Sequence, residues 1–373
     1  MSTPNPLVAA KQAGQSLWLD FIQRSMLSNG DLDRLINDDH ICGITSNPAI
    51  FEAAIANTDE YDDEIKSILA SRPNASAMDI FKKLAVTDIS DAADKFAKTY
   101  QNSRGDDGMV SLEVSPTLAH DTKGTIAEAL ELHAALNKPN VMIKVPGTKA
   151  GVLAFEELTA RGISVNVTLL FSVGRYKEIA QAYLSGLNRR LEKSEDVSQI
   201  ASVASFFVSR VDVAVDSALS ELSSPEATAL QGNMAIANAK VAYTYYQNVF
   251  ESPQFEKLAQ AGAMPQRLLW ASTATKNPDY SDVYYVEQLM GPNTVNTIPP
   301  KTMDAFRDHG VVENRLETKL QESLPQLEAL ASLGIDLEAI TDKLEADGVA
   351  SFADAFDRLL QAITSECKKI EAA

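Results

Sequence analysis

A chain of 373 residues, 45% hydrophobic and 23% charged, has the make-up of a folded globular protein long enough to bury a core without disulfide staples. Its formal net charge of −18 repels phosphate backbones and anionic bilayers, which argues against nucleic-acid or membrane-surface binding. Two cysteines outside any CxxC pattern (Cys42, Cys367) and four histidines without metal-ligand spacing argue against a zinc or redox motif, so no metal site is expected.

Along the chain, residues Met1 to Gln12 lack the apolar core of a secretory signal, and the uncharged stretch Gly162–Gly174 falls short of the roughly 20 residues a membrane helix needs. A cytoplasmic enzyme is expected. Short β-type runs then recur at Ser16–Phe21, Ile41–Ser46, Val110–Val114, Val141–Val145, Ile163–Leu170, Ser202–Val208, Arg267–Ser272 and Thr294–Ile298. Each is rich in β-branched or aromatic residues and bounded by Gly, Pro, Asn or Ser. Helical patterns separate them. Asn74–Thr99 carries Met78, Ile80, Phe81, Leu84 and Ala85 at three-to-four spacing, and Ala227–Phe250 reads as one long Ala-rich helix. Eight strands alternating with helices predict a parallel sheet closed into a (β/α)8 TIM barrel, with an open doubly wound sheet as the alternative. The absence of a GxGxxG turn after the first strand weakens a dinucleotide-binding version of that alternative. Beyond Ile298 the pattern is helical. Ser351 and Asp354 read as a capping-box start, with Phe352, Phe356, Leu359, Leu360 and Ile363 on one apolar face. We expect a single domain over 1–373, with 311–373 as a C-terminal helical extension packed on the barrel.

In such barrels the chemistry gathers at the C-terminal ends of the strands. Lys144, inside Val141-Met142-Ile143-Lys144-Val145-Pro146, stands out. Burial of an ammonium is costly, which favours the neutral amine, and a neutral amine can attack a ketone to form an imine. The plainer reading is a strand-end lysine that pairs with a carboxylate. Lys149 competes for the role, although its place after Gly147 in a loop suits solvent or phosphate contact better. Asp20 and Glu113 end two other strands, and imine chemistry needs such proton-transfer groups. Asn166 and Thr168, two apart, share one face of a strand. Arg210, after Ser205 and Phe207, has the makings of a phosphate clamp, and Lys276 could add a second charge. A salt bridge from Arg210 to Asp212 or Asp216 is a serious rival. Asn47, before Pro48, reads equally well as a turn residue.

Taken together, four motifs in register resemble the transaldolase family of class I, Schiff-base-forming aldolases, in its longer bacterial branch. They are Gly43-Ile44-Thr45-Ser46-Asn47-Pro48, Val141 to Pro146 around Lys144, Asn166-Val167-Thr168-Leu169-Leu170-Phe171-Ser172, and Ser205-Phe206-Phe207-Val208-Ser209-Arg210-Val211-Asp212. The resemblance implies transfer of a dihydroxyacetone unit from sedoheptulose 7-phosphate to glyceraldehyde 3-phosphate in the pentose phosphate pathway. No metal or organic cofactor is implied. The only partners implied are small sugar phosphates, and the choice between monomer and homodimer stays open. By position it makes Lys144 the Schiff-base lysine and Asp20 the acid/base. Glu113 and Thr168 would hold a catalytic water, and Asn47 and Asn166 would bind the dihydroxyacetone hydroxyls. Ser205 and Arg210 would bind phosphate, with Phe207 shaping the pocket. The best-known members carry an arginine in the seventh-strand loop where this chain offers Lys276.

Overall fold

Every one of the eight predicted runs forms a strand, in chain order: β1 (Gln15–Asp20), β2 (Gly43–Thr45), β3 (Met109–Glu113), β4 (Val141–Pro146), β5 (Val165–Leu170), β6 (Ser202–Phe207), β7 (Arg267–Ala271) and β8 (Thr294–Ile298). The structure, a computed structural model, describes residues 5–372; the outermost residues of the expected domain bounds, 1–4 and 373, lie outside it. The strands pair in parallel with their sequence neighbours, and β8 returns to β1, closing an eight-stranded barrel. The open-sheet alternative is thereby excluded. Outward-facing Val141, Ile143, Val145, Val165 and Val167 meet the surrounding helices in a continuous apolar layer. The opposite face of the same strands carries polar groups into the barrel, as the period of two requires. Register sets Glu113 of β3 beside Lys144 of β4, and Lys144 beside Asn166 of β5, so these three stand in one inward row.

Three helix expectations need correction. The Ala227–Phe250 pattern is two helices, Pro225–Leu230 and Met234–Phe250. Between them Gly232 has φ +71, and a Cβ there would meet the Tyr280 ring at 2.8 Å. Docking against Asp216, which accepts from Gly232 N–H at 2.9 Å, breaks a run that propensity alone would continue. Second, Ser351 starts nothing. The C-terminal helix begins at Leu337, where the Asp336 carboxylate accepts from Ala339 N–H at 3.1 Å, and it runs through Ser351 to Ala372. The same Ser-x-x-Asp pattern does form a capping box at Ser76 and Asp79, opening the Ala77–Ser103 helix. Third, Phe352 leaves the buried face. Phe356, Leu359 and Ile363 are core residues, whereas Phe352 is partly exposed and turned to the barrel mouth.

That C-terminal helix packs on the Pro48–Ala56 and Ala77–Ser103 helices and touches β5. Phe356 meets Phe81 edge-to-face at 5.3 Å. Gly348 lets it approach closely, since a Cβ there would lie 3.1 Å from Leu169 Cδ2.

Candidate active site

At the C-terminal mouth of the barrel lies a cavity of about 320 Å³ lined by Asp20, Thr45, Asn47, Lys144, Thr168, Ser205, Phe207, Arg210, Ser272, Lys276 and Thr297 from the barrel, and by Ser351, Phe352, Ala355 and Arg358 from the C-terminal helix. Basic side chains (Lys144, Arg210, Lys276, and Arg358 with its partner Glu52) outnumber the one acid on the wall, Asp20. On a chain of net charge −18 this is a local reversal of sign, suited to a small anion.

Lys144 is 5% exposed. Its Nζ donates to the Ser46 carbonyl at 3.1 Å, lies 3.6 Å from Glu113 Oε2, and sits 5.8 Å from the centre of the Phe352 ring. Lys149, by contrast, is solvent-exposed in the first turn of the Lys149–Ala160 helix and lies off the cavity wall. Burial pushes the Glu113 carboxyl up to about 7, against the pull of Lys144. Burial likewise raises Asp20, with Lys144 and a 2.7 Å hydrogen bond from Thr45 opposing it. Both acids feel the Lys144 charge, and each carboxyl is nonetheless raised from its ordinary value by burial. Glu113 Oε2 and Thr168 Oγ1 are both buried without a hydrogen-bond partner. Buried polar atoms without a partner can be satisfied by a small polar molecule, and Thr168 lines the cavity where one could reach it. The backbone reinforces the point. Next to Thr168, Leu169 takes φ 60 and the β5–β6 register shifts between Val167 and Leu170. A left-handed leucine is strained, and bulges of this sort re-aim side chains near active sites.

Asn47 caps the Pro48–Ala56 helix through its side-chain oxygen, accepting from Ile50 N–H at 3.1 Å, so its structural reading holds, and the residue also lines the cavity. Asn166 and Glu113 lie behind the wall rather than on it. Asn166 accepts from Ser205 Oγ at 2.7 Å and donates to Ser111 Oγ at 3.1 Å. Ser205, expected at the phosphate, thus directs its proton to Asn166.

The salt-bridge rival for Arg210 does not form. Asp212 accepts from Tyr285 O–H at 3.0 Å and from Ala235 N–H, and Asp216 accepts from Tyr280 O–H at 3.0 Å. Among the described residues no carboxylate pairs with Arg210, whose guanidinium lies over the Phe207 ring at 5.5 Å and is depressed by burial. An unneutralised, half-buried guanidinium is what an anionic ligand would complete. Lys276 lines the same cavity. The loop that carries it is tied to the Arg210 helix (Ser209–Ser220) at both ends: Ser209 N–H donates to the Ser272 carbonyl at 2.9 Å, and Tyr280 reaches Asp216.

Sequence reasoning missed Thr297 and the contribution of the C-terminal helix, whereas Thr45 and Ser272 stand out as polar groups at strand ends and gain their surroundings only from the fold. Thr45 and Thr297 share a 2.6 Å contact that places Asp20's partner across the β1–β2 and β8 ends, and only barrel closure brings them together. Ser272 has φ 55 at the end of β7, a strained conformation with no signal in its residue type. Ser351, Phe352 and Arg358 come from a helix about 200 residues downstream of Lys144, where Ser351 reads as a cap, Phe352 as part of an apolar face, and Arg358 carries no local signal. Among the described residues no group of three His, Cys, Asp or Glu could hold a metal ion, and no helix is long and apolar enough to cross a membrane.

A closed (β/α)8 barrel whose cavity, with a buried lysine, two raised carboxyls and an unpaired arginine, opens at the C-terminal ends of its strands has the architecture of a barrel enzyme. Comparison with known proteins makes the assignment specific. Residues 17–363 match the family described as transaldolase/fructose-6-phosphate aldolase. A transaldolase 2 of Nostoc sp. is 45% identical, with 98% of each chain covered. Transaldolases of Trichodesmium erythraeum and Saccharopolyspora erythraea are 43% and 44% identical over 98% of this chain, covering 98% and 99% of theirs. The chain belongs to the transaldolase family.

Proposed function

We propose that this transaldolase-family enzyme moves a dihydroxyacetone unit from sedoheptulose 7-phosphate to glyceraldehyde 3-phosphate, giving erythrose 4-phosphate and fructose 6-phosphate, and runs the reverse, with the cytoplasm as its compartment. The observation that carries the reading is the buried Lys144 amine, 3.6 Å from Glu113, at the base of a cation-lined cavity.

The neutral amine attacks the donor's ketone carbon. Glu113 and Thr168, whose buried oxygens have no hydrogen-bond partner in the protein, hold the water through which the departing hydroxyl is protonated and expelled. The resulting protonated imine draws electrons from the C3–C4 bond. Asp20, tethered by Thr45, takes the C4 hydroxyl proton as that bond breaks and the first aldehyde leaves. Its raised affinity for a proton suits both this step and the return of the proton to the acceptor. The enamine on Lys144 then attacks the second aldehyde, and hydrolysis of the new imine frees the product. Asn47, on the wall, orients the hydroxyls of the three-carbon unit, and Asn166, behind it, positions the Ser205 hydroxyl that faces them. Arg210 and Lys276 hold the phosphate remote from the reacting carbons, fixing their position.

Borohydride reduction in the presence of fructose 6-phosphate, followed by peptide mapping, tests the reading. A stable adduct on Lys144 is expected. Label confined to Lys149, or none, would sink it.

A further inference from the structure

We propose that the C-terminal helix, through Phe352, keeps water away from the enamine on Lys144 and so makes the enzyme a transferase rather than a releasing aldolase. The proposal rests on the reading of Lys144 as the Schiff-base lysine. The family's own description names both reactions, and the two share one intermediate. After the first aldehyde leaves, the enamine carbon can attack a second aldehyde. Alternatively it can take a proton from water, giving an imine that a further water adds to at carbon. The carbon–nitrogen bond then breaks, the nitrogen leaves as the Lys144 amine, and free dihydroxyacetone departs. Imine hydrolysis also ends the transfer route, so the partition is set where water protonates the enamine carbon (the hydroxide left there is neutralised by the proton the adding water releases), and solvent access to that carbon beside Lys144 governs it.

The helix is built and held for that task. Phe352 reaches the cavity with its ring 5.8 Å from Lys144 Nζ, while its neighbours Phe356 and Leu359 anchor the same helix in the core. An ion pair near each end of the covering segment fastens it to the barrel's rim: Glu345 to Arg175 at 3.3 Å, and Arg358 to Glu52 at 2.7 and 3.1 Å. The close seat of Gly348 against Leu169 and Phe171 lowers the helix onto the end of β5, beside Thr168. An aromatic side chain that packs at the edge of the core, yet lines the cavity beside the Lys144 amine on a helix anchored at several points, points to a role at the reacting centre.

The test compares two rates with fructose 6-phosphate as donor: transfer to erythrose 4-phosphate, and release of free dihydroxyacetone without acceptor. Phe352→Ala should raise the release-to-transfer ratio about tenfold or more, equivalent to roughly 1.4 kcal/mol in relative barrier. Phe352→Leu, which restores apolar bulk, should bring the ratio back toward the unaltered enzyme. The borohydride adduct on Lys144 should persist in both. A ratio within twofold of the unaltered enzyme in Phe352→Ala, with the adduct intact, overturns the proposal while leaving the Lys144 reading standing (twofold being about 0.4 kcal/mol). No adduct in the unaltered enzyme removes the Lys144 reading and this proposal with it. Should Phe352→Ala not fold, Glu52→Gln, which loosens the Arg358 ion pair outside the core, takes its place: a raised ratio supports the proposal and an unchanged one overturns it.

Discussion

The two ends of the barrel both bury charge and do opposite things with it. At the N-terminal floor, Arg267 opens β7 and is 6% exposed. It donates to Ser16 Oγ at 3.0 Å and to Asp107 Oδ1 at 3.2 Å, and also pairs with Asp106. Asp107 accepts in addition from Ser16 and Lys11. Burial would raise Asp107, but Arg267 and Lys11 overcome it and hold the carboxyl below its ordinary value; Arg267 is raised in turn by its acids. At the mouth the directions invert. Glu113 and Asp20 are raised and Arg210 is lowered, because desolvation there is not matched by partners. The same residue types close the fold at one end and stay poised for a ligand at the other.

The sharpest break of this symmetry is Lys144→Arg. Transfer should fall to background while the fold survives, since a guanidinium cannot deprotonate to attack a ketone; circular dichroism and a coupled transfer assay check it. Next, Asp107→Asn should destabilise by about 3–5 kcal/mol by stranding Arg267, with KM unchanged, as read from denaturant unfolding and steady-state kinetics. The comparison fails if that variant loses affinity for substrate instead of stability. Arg210→Ala should lower kcat/KM roughly 10- to 150-fold, from losing a charged hydrogen bond worth about 1.5–3 kcal/mol, and should leave stability nearly untouched.

The pH dependence separates the ends more finely. Asp107 has a lowered folded value, so its stabilisation is present above its ordinary 3.8 and is lost as pH falls through the folded value. Glu113 has a raised one, so the native state loses stability as pH climbs from the ordinary 4.5 through about 7. Glu113→Gln should therefore be inactive or slow yet melt higher than the unaltered protein at pH 8, with the gap closing below pH about 4.5. Thermal melts across pH 4–8 decide it, and a gap that widens toward acid would contradict the sign. The smallest effect is expected of Tyr280→Phe. Losing its bond to Asp216 frees the Lys276 loop from the Arg210 helix at a cost of about 1 kcal/mol, seen as a several-fold rise in KM with little change in kcat.

How much of this was legible in residue order varies with the range of the interactions. The strands were found to within a residue or two because alternation and turn residues are local signals; β2 shrank most, to Gly43–Thr45 from Ile41–Ser46. Ser76 and Ser351 carry the same capping pattern, yet only Ser76 caps. Pro73 and Asn74 before it cannot continue a helix, whereas the residues ahead of Ser351 can, and packing on the barrel sustains them. Phe352 and Phe356 are one turn apart with the same chemistry. Which of them enters the core and which meets the cavity depends on the angle at which the helix crosses the mouth, and no local pattern encodes that.

Residue order alone determined the alternating strand-and-helix plan, the family, and the lysine, acids and arginine worth watching, since periodicity and motif spacing are properties of neighbours in the chain. Tertiary structure alone decided that Arg210 is free of Asp212 and Asp216, that Asn166 is held by Ser205, that Thr45 meets Thr297, and that a distant helix roofs Lys144. Those outcomes turn on distances between groups far apart in sequence, and such distances exist only once the barrel has closed and the last helix has been laid across it.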